Sequence, residues 1–156
     1  MSFTTTATAT DANTGFAVTS GPAESNAELI LPPAALDVSL VAFPATRNVG
    51  QPFWITLTVT NTGGTTIQDV TASSFIASGT AGLGPETGPT PGFPVSLASG
   101  ASITFTWTES GTSAGAVWFT TTVFGTDQVS GNPIAVGPVV SNVVSIQVPA
   151  ALVASL

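Results

Sequence analysis

The sequence predicts an all-β protein built around one antiparallel β-sandwich. Apolar and polar residues alternate with a period of two in several short segments, as they do in strands that bury one face. Clusters of Gly, Pro and Asn separate these segments, and no window has the period of an amphipathic helix. A chain of 156 residues is long enough for one sandwich-sized core. A closed barrel is the competing architecture, because strand spacing alone does not separate the two.

The first predicted strands include the clearest alternation in the chain. Leu36–Phe43 is followed by Pro44, and Phe53–Thr60 has an apolar face opposite a face rich in threonine. The apolar face consists of Phe53, Ile55, Leu57 and Val59. The segment 61–64 is predicted as a turn, because Asn and Gly accept the positive φ of hairpin turns. A third strand is predicted over 65–76.

Three more strands are predicted in the second half of the chain. Residues 101–108 alternate again, with Phe105 and Trp107 on the apolar face. Segments 116–125 and 139–148 are predicted to close the domain, joined by a loop that contains Pro133. Six or more short strands of this kind favour a sandwich over a barrel.

The segment 77–95 is rich in Gly and Pro and is longer than a usual hairpin loop. Its one charged side chain is Glu86. Two interpretations stay open for it. It is either a loop that contacts a ligand or a connection that covers one end of the sandwich.

The two ends of the chain align with each other without a gap. Residues 3–40 lie over residues 119–156, an offset of 116, and about half of the positions are identical. The alternative is two unrelated Thr-rich strands of similar composition, but unlike landmarks such as Gly21-Pro22 and Gly137-Pro138 fall in register. The alignment predicts three parts: 1–34 as the end of a preceding repeat or a donor hairpin, 35–150 as a complete repeat, and 151–156 as the start of the next.

Composition excludes several classes of function. The net charge is −7 with one basic residue, Arg47, so nucleic acid would be repelled. There is neither an apolar run of about 18 residues nor a basic amphipathic helix, which disfavours membrane insertion. Histidine, cysteine, lysine and tyrosine are absent, which removes the common general bases, thiol nucleophiles and Schiff-base amines. We therefore expect no catalytic activity and no cofactor.

One segment has oxygen-bearing side chains at the spacing of a calcium loop. Asp11, Asn13 and Gly15 follow that spacing. At the equivalent place of the second copy, the middle position is Val129, which weakens the metal interpretation. We favour an ordinary turn, in which Asp bonds the backbone and Gly takes positive φ. No metal site is therefore expected.

Three segments of the predicted complete repeat resemble a known family. Val49–Gly63, Ser99–Trp107 and Ser141–Ile146 resemble the bacterial cell-adhesion-related Ig-like repeats, and the likeness extends over most of 35–150. The resemblance implies an Ig-like antiparallel sandwich with Greek-key connections, used as a spacer or adhesive repeat in secreted or surface proteins. It implies no active site. The Gly/Pro-rich segment departs from the family pattern.

Three functions are therefore considered. The first is a non-catalytic structural or adhesive repeat of a bacterial extracellular surface protein, with its secretion signal outside this sequence and neighbouring repeats as partners. The second is a filament subunit, in which the leading hairpin adds to the sheet of an identical chain. Glu24 and Glu28 replace Val140 and Val144 in that hairpin, which makes it a poorer filler of a core.

The third function is a carbohydrate-binding module for a cell-surface or polysaccharide ligand. Trp54, Trp118 and Glu86 are the candidate contacts. The two tryptophans are predicted on threonine-rich faces of strands from different sheets, so we do not expect them to form one shared platform.

Overall fold

The computed structural model describes residues 1–153, and every regular element in that range is a β-strand. No helix among these residues is long and apolar enough to cross a membrane. The chain divides into two compact units, Met1–Leu31 and the residues from Pro32 onward. Residues 154–156, the end of the segment predicted to start a further repeat, lie outside the described residues.

The strands, in chain order, are β1 (Thr4–Thr5), β2 (Thr8–Thr10), β3 (Ala17–Thr19), β4 (Ala23–Glu24), β5 (Leu36–Phe43), β6 (Thr46–Asn48), β7 (Pro52–Asn61), β8 (Ile67–Ala72), β9 (Ile76–Gly79), β10 (Thr87–Thr90), β11 (Val95–Leu97), β12 (Ser102–Ser110), β13 (Gly115–Asp127), β14 (Pro133–Val140) and β15 (Val144–Gln147).

The leading unit, residues 1–31, is a hairpin without a second layer. Strand β1 pairs with β4 and β2 pairs with β3, both antiparallel. All of its residues are exposed, because a two-stranded ribbon has nothing against which to bury a face.

The second unit contains two sheets. The four-stranded sheet has the order β10-β12-β7-β5, and the seven-stranded sheet has the order β11-β8-β13-β15-β6, with β9 and β14 also paired to β13. All pairs are antiparallel except β15 with β6. The all-β, antiparallel prediction is confirmed, and two separate sheets correspond to a sandwich and not to a closed barrel.

The core lies between the inner faces of the two sheets. Strand β7 buries every second residue, as its alternation predicts, and the ring of Phe53 on β7 lies 6.0 Å from the ring of Phe119 on β13 in the other sheet. Full burial of each large apolar side chain contributes about 1.5–3 kcal/mol. The largest fully buried apolar residues are Phe53, Phe105, Phe119, Ile55, Leu57, Ile67, Val59, Val70, Val117, Val123 and Val144.

Two predicted strands are each interrupted by a serine. The segment 65–76 forms β8 and β9 instead of one strand, because the Ser73 hydroxyl accepts the Thr122 N–H at 3.1 Å, where a backbone carbonyl would otherwise stand. The segment 139–148 is divided between β14 and β15 in the same way, because the Ser141 hydroxyl accepts the Phe119 N–H at 3.0 Å. Strand β14 also begins earlier than predicted, at Pro133.

The Gly/Pro-rich segment is partly regular. Strand β10 pairs with β12 at one edge of the four-stranded sheet, with an irregular register between Thr87 and Thr90. Pro89 and Pro91 lie in or beside this edge strand, where a missing N–H is tolerated. The middle of the segment 77–95 therefore forms an edge strand of the four-stranded sheet.

The leading hairpin and the hairpin of β13 and β14 have the same register. Thr4 faces Glu24 as Thr120 faces Val140, and Thr10 faces Ala17 as Thr126 faces Pro133. In each case the second pair is the first shifted by 116 positions. The backbone therefore repeats at the same offset as the sequence.

Candidate functional site

The turns of the two hairpins are built by equivalent aspartates. The Asp11 carboxylate oxygen Oδ1 accepts the N–H groups of Asn13 and Thr14, both at 2.8 Å. Oδ1 of Asp127 accepts the N–H groups of Val129 and Ser130 in the same way, at 2.8 and 3.2 Å. The residues that resemble a calcium loop thus form an Asx turn.

These hydrogen bonds favour the ionised carboxylates. The Thr14 N–H, followed by that of Asn13, lowers the pKa of Asp11. The described residues contain no group of three or more His, Cys, Asp or Glu side chains placed to hold a metal.

The other oxygen of Asp127 fastens its hairpin to the rest of the sandwich. Oδ2 accepts the Ala34 N–H and the Thr65 hydroxyl, both at 3.0 Å. The Ala34 N–H is the main cause that lowers the pKa of Asp127 to about 2. No hydrogen bond to Asp11 Oδ2 occurs among the described residues of the leading unit. Asp11 therefore has the turn bonds of Asp127 without its fastening bonds.

A second fastening residue follows the hairpin. The Asn142 side chain accepts the N–H of Ala42 at 2.9 Å and donates to the carbonyl of Ala42 at 2.8 Å. Ala42 lies on β5 of the opposite sheet, so Asn142 joins the two sheets. It is positioned by Ser141, whose hydroxyl donates to the Asn142 carbonyl at 2.8 Å.

The leading hairpin contains the same pair of residues. The Ser25 hydroxyl accepts the Phe3 N–H at 2.9 Å, as Ser141 accepts that of Phe119, and it donates to the Asn26 carbonyl at 3.4 Å. No hydrogen bond of the Asn26 side chain occurs within the described leading unit. Asp11 and Asn26 thus occupy the positions equivalent to Asp127 and Asn142. The Asp11 Oδ2 atom and the Asn26 amide group, whose equivalents bond the rest of the sandwich, are exposed to solvent.

Apolar residues of the leading hairpin are exposed where their equivalents are buried. Phe3 is 67% exposed, whereas Phe119 is 1% exposed. Ile30 is 83% exposed, whereas Ile146 is 2% exposed. Phe3 and Ile30 thus expose apolar side chains at the two positions whose equivalents lie in the core of the sandwich.

A second candidate site is an aromatic groove in the sandwich. It is a cavity of about 170 Å³ whose lining includes Phe75, Glu86, Phe93 and Trp107. The ring of Trp107 lies 4.7 Å from that of Phe75 and 6.1 Å from that of Phe93.

Two glutamates, Glu86 and Glu109, have raised pKa values. Burial raises the pKa of Glu86. Burial is also the main cause that raises the pKa of Glu109, and the charge of Glu86 adds to it. Glu109 is 4% exposed and accepts the Ser110 N–H at 2.8 Å. The sequence reading missed Glu109, although it follows Phe105 and Trp107 at a spacing of two and so lies on the buried face of β12.

The three candidate ligand contacts predicted from sequence are not brought together. Trp54 lies on β7 of the four-stranded sheet, 5.7 Å from the ring of Phe43, with the Arg47 guanidinium carbon 5.6 Å above it. Trp118 lies on β13 of the seven-stranded sheet. Glu86 lines the groove with Trp107 instead. The arrangement offers no platform of two tryptophans.

No family model matches the sequence, and no curated protein matches it. The assignment of a function therefore depends on the chain's own residues.

Proposed function

We propose that this chain is a non-catalytic structural module of a tandem array of sandwiches. In this proposal the leading hairpin closes a preceding copy, and the sandwich from Pro32 onward is a complete copy. The observation that carries the proposal is the common hydrogen-bond pattern of the two hairpins, which is repeated at an offset of 116 in the ladder, the Asx turn and the serine that follows.

The exposed apolar residues of the leading hairpin support this proposal. A lone hairpin that exposes Phe3 and Ile30 gains little from folding. A preceding copy would cover both side chains, and burial of each would contribute about 1.5–3 kcal/mol. The Asp11 and Asn26 side chains would then find the partners that Asp127 and Asn142 have.

We further propose an Ig-like sandwich with Greek-key connections and a place on the surface of a bacterial cell, where such modules act as spacers or contribute to adhesion. The resemblance of Val49–Gly63, Ser99–Trp107 and Ser141–Ile146 to adhesion-related Ig-like repeats supports both parts. A surface rich in Ser and Thr and poor in charge suits a secreted β protein.

The test is a two-copy chain, in which residues 32–118 are placed directly before Phe3 of this sequence. The added residues and the leading hairpin then make one complete copy. Glu28 is changed to Val in this chain, because its equivalent Val144 is fully buried. We expect the amides of residues 3–31 to become protected from hydrogen exchange to the level of residues 119–147. Exchange as fast as in the original chain would refute the proposal.

The alternative of a homopolymeric filament is supported by the exposure of the whole leading hairpin. Light scattering after size exclusion separates the two functions. An array module is monomeric both as the whole chain and without residues 1–31. A filament subunit forms large assemblies only when the hairpin is present.

A further inference from the structure

The aromatic groove is lined by three rings that come from three separate parts of the sandwich. Trp107 lies on β12 and is 5% exposed, Phe75 lies between β8 and β9, and Phe93 lies between β10 and β11. The ring planes of Phe75 and Phe93 are inclined to that of Trp107 by 66° and 49°. The rings therefore line the cavity at different angles and do not form one flat stack.

Two carboxyl groups lie next to each other at this groove. Glu86 is part of the lining. Thr87 on β10 faces Thr108 on β12, so Glu86 and Glu109 are the next residues on the two paired strands. Burial raises the pKa of both carboxyl groups, and the charge of Glu86 adds to the effect on Glu109. Like charges at such neighbouring places repel each other.

The chain has no basic side chain at the groove to balance this charge. The single basic residue, Arg47, lies on β6, at the opposite edge of the seven-stranded sheet from β11. Its guanidinium carbon is 5.6 Å from the ring of Trp54, which is not part of the groove lining. The net charge of −7 attracts cations to the surface of the chain. A cation that balances the two carboxylates would therefore come from a ligand.

The size and the polarity of the cavity limit the kind of cation. Its volume is about 170 Å³, and an apolar cavity of about 150 Å³ holds benzene, which is similar in size to a trimethylammonium group. The Ser73 hydroxyl already bonds the Thr121 hydroxyl and the Thr122 N–H, which leaves Ser74 and Glu86 as the polar side chains of the lining. A sugar ring would leave several hydroxyls without partners, whereas a quaternary ammonium has no hydrogen to donate.

We propose that the aromatic groove binds a quaternary ammonium group such as that of choline. The faces of aromatic rings attract such cations, and Glu86 provides the negative charge beside them. The group belongs either to a free solute or to the phosphocholine of a lipid or surface polymer. All lining residues are in the second unit, so this inference is independent of the leading hairpin and goes beyond the proposed function.

The test is a titration of the isotope-labelled whole chain with choline and with phosphocholine, followed by NMR. We expect a saturable shift of the Trp107 indole N–H signal, with those of Trp54 and Trp118 unchanged. The neutral tert-butyl analogue of choline, in which carbon replaces the nitrogen, should bind roughly tenfold more weakly because it lacks the charge. Of choline and phosphocholine, the one that binds more tightly identifies the source of the group.

Two variants separate the charge from the rings. Glu86→Gln keeps the shape of an exposed side chain and removes its charge, so the dissociation constant for choline should rise roughly tenfold. Phe93→Leu removes one ring but keeps an apolar side chain, and should raise the constant roughly threefold. The matched control is Asp37→Asn, which removes an exposed charge on β5, at the opposite edge of the four-stranded sheet from β10. It should leave the constant unchanged.

Several results would overturn the inference. One is the absence of a saturable Trp107 shift with both choline and phosphocholine, and another is equal binding of choline and its neutral analogue. An unchanged dissociation constant in Glu86→Gln or in Phe93→Leu would also contradict it. Equal weakening by Glu86→Gln and Asp37→Asn would show that the net charge of the chain, and not the groove, attracts the ligand. All of these results leave the closing-hairpin proposal intact.

Discussion

The Asn142 side chain should contribute measurably to the free energy of unfolding of the sandwich. It makes two hydrogen bonds to the backbone of Ala42, at 2.9 and 2.8 Å. Ala42 itself is 1% exposed. The change Asn142→Ala removes both bonds and leaves a buried N–H and a buried carbonyl without their partner.

The expected loss follows from these two bonds. Each contributes about 0.5–1.5 kcal/mol net, so the free energy of unfolding should fall by about 1–3 kcal/mol. The equivalent change in the leading hairpin, Asn26→Ala, should alter it by less than about 0.5 kcal/mol, because the described leading unit gives that side chain no hydrogen-bond partner.

Urea unfolding followed by tryptophan fluorescence measures this difference. Trp54, Trp107 and Trp118 all lie in the second unit, so the signal reports the sandwich and not the hairpin. The midpoint should move in Asn142→Ala while the slope m stays constant. Equal shifts for Asn142→Ala and Asn26→Ala, or a shift below about 0.5 kcal/mol for the former, would refute the fastening role.

Three further changes have defined outcomes. The pKa of Asp127 is lowered to about 2 in the folded chain from 3.8. The ionised carboxylate therefore stabilises the fold above pH 3.8, and this stabilisation is lost as the pH falls towards 2. The free energy of unfolding of Asp127→Asn, measured across an acid titration, should not show this part of the decrease. Burial raises the pKa of Glu109 above its ordinary value of 4.5, so folding disfavours the charged form. Glu109→Gln should therefore raise the melting temperature at pH 7. This increase should disappear below pH 4.5, where the glutamate is protonated in both the folded and the unfolded chain. A Cβ on Gly63 would overlap the backbone of Pro33 and Ala35, whereas Gly92 has open space around it; thermal melting should show Gly63→Ala destabilised by about 1–3 kcal/mol and Gly92→Ala nearly unchanged.

The strands with strict alternation could be predicted from the sequence. The predicted and observed bounds of Leu36–Phe43 are the same, and Phe53–Thr60 lies within β7. The interruptions at Ser73 and Ser141 could not be predicted. A serine whose hydroxyl accepts a backbone N–H of the neighbouring strand has the same sequence pattern as a serine at an ordinary polar strand position.

The candidate site was visible only in part. The internal alignment pairs Asp11 with Asp127 and Asn26 with Asn142, which marks them as equivalent. Their fastening role was not visible, because Asp127 bonds Ala34 and Asn142 bonds Ala42, partners 93 and 100 positions away. Such separations depend on the arrangement of the sheets, and no local pattern encodes them.

The most direct test of the account is a structure of the two-copy chain with Glu28→Val. If the leading hairpin closes a preceding copy, the Phe3 ring should lie about 6 Å from the Phe53 ring of the added segment, as the Phe119 ring does in the complete copy. The Asp11 carboxylate should then accept the Ala34 N–H of that segment. A hairpin that stays exposed, with Phe3 and Asp11 free of the added segment, would contradict the account.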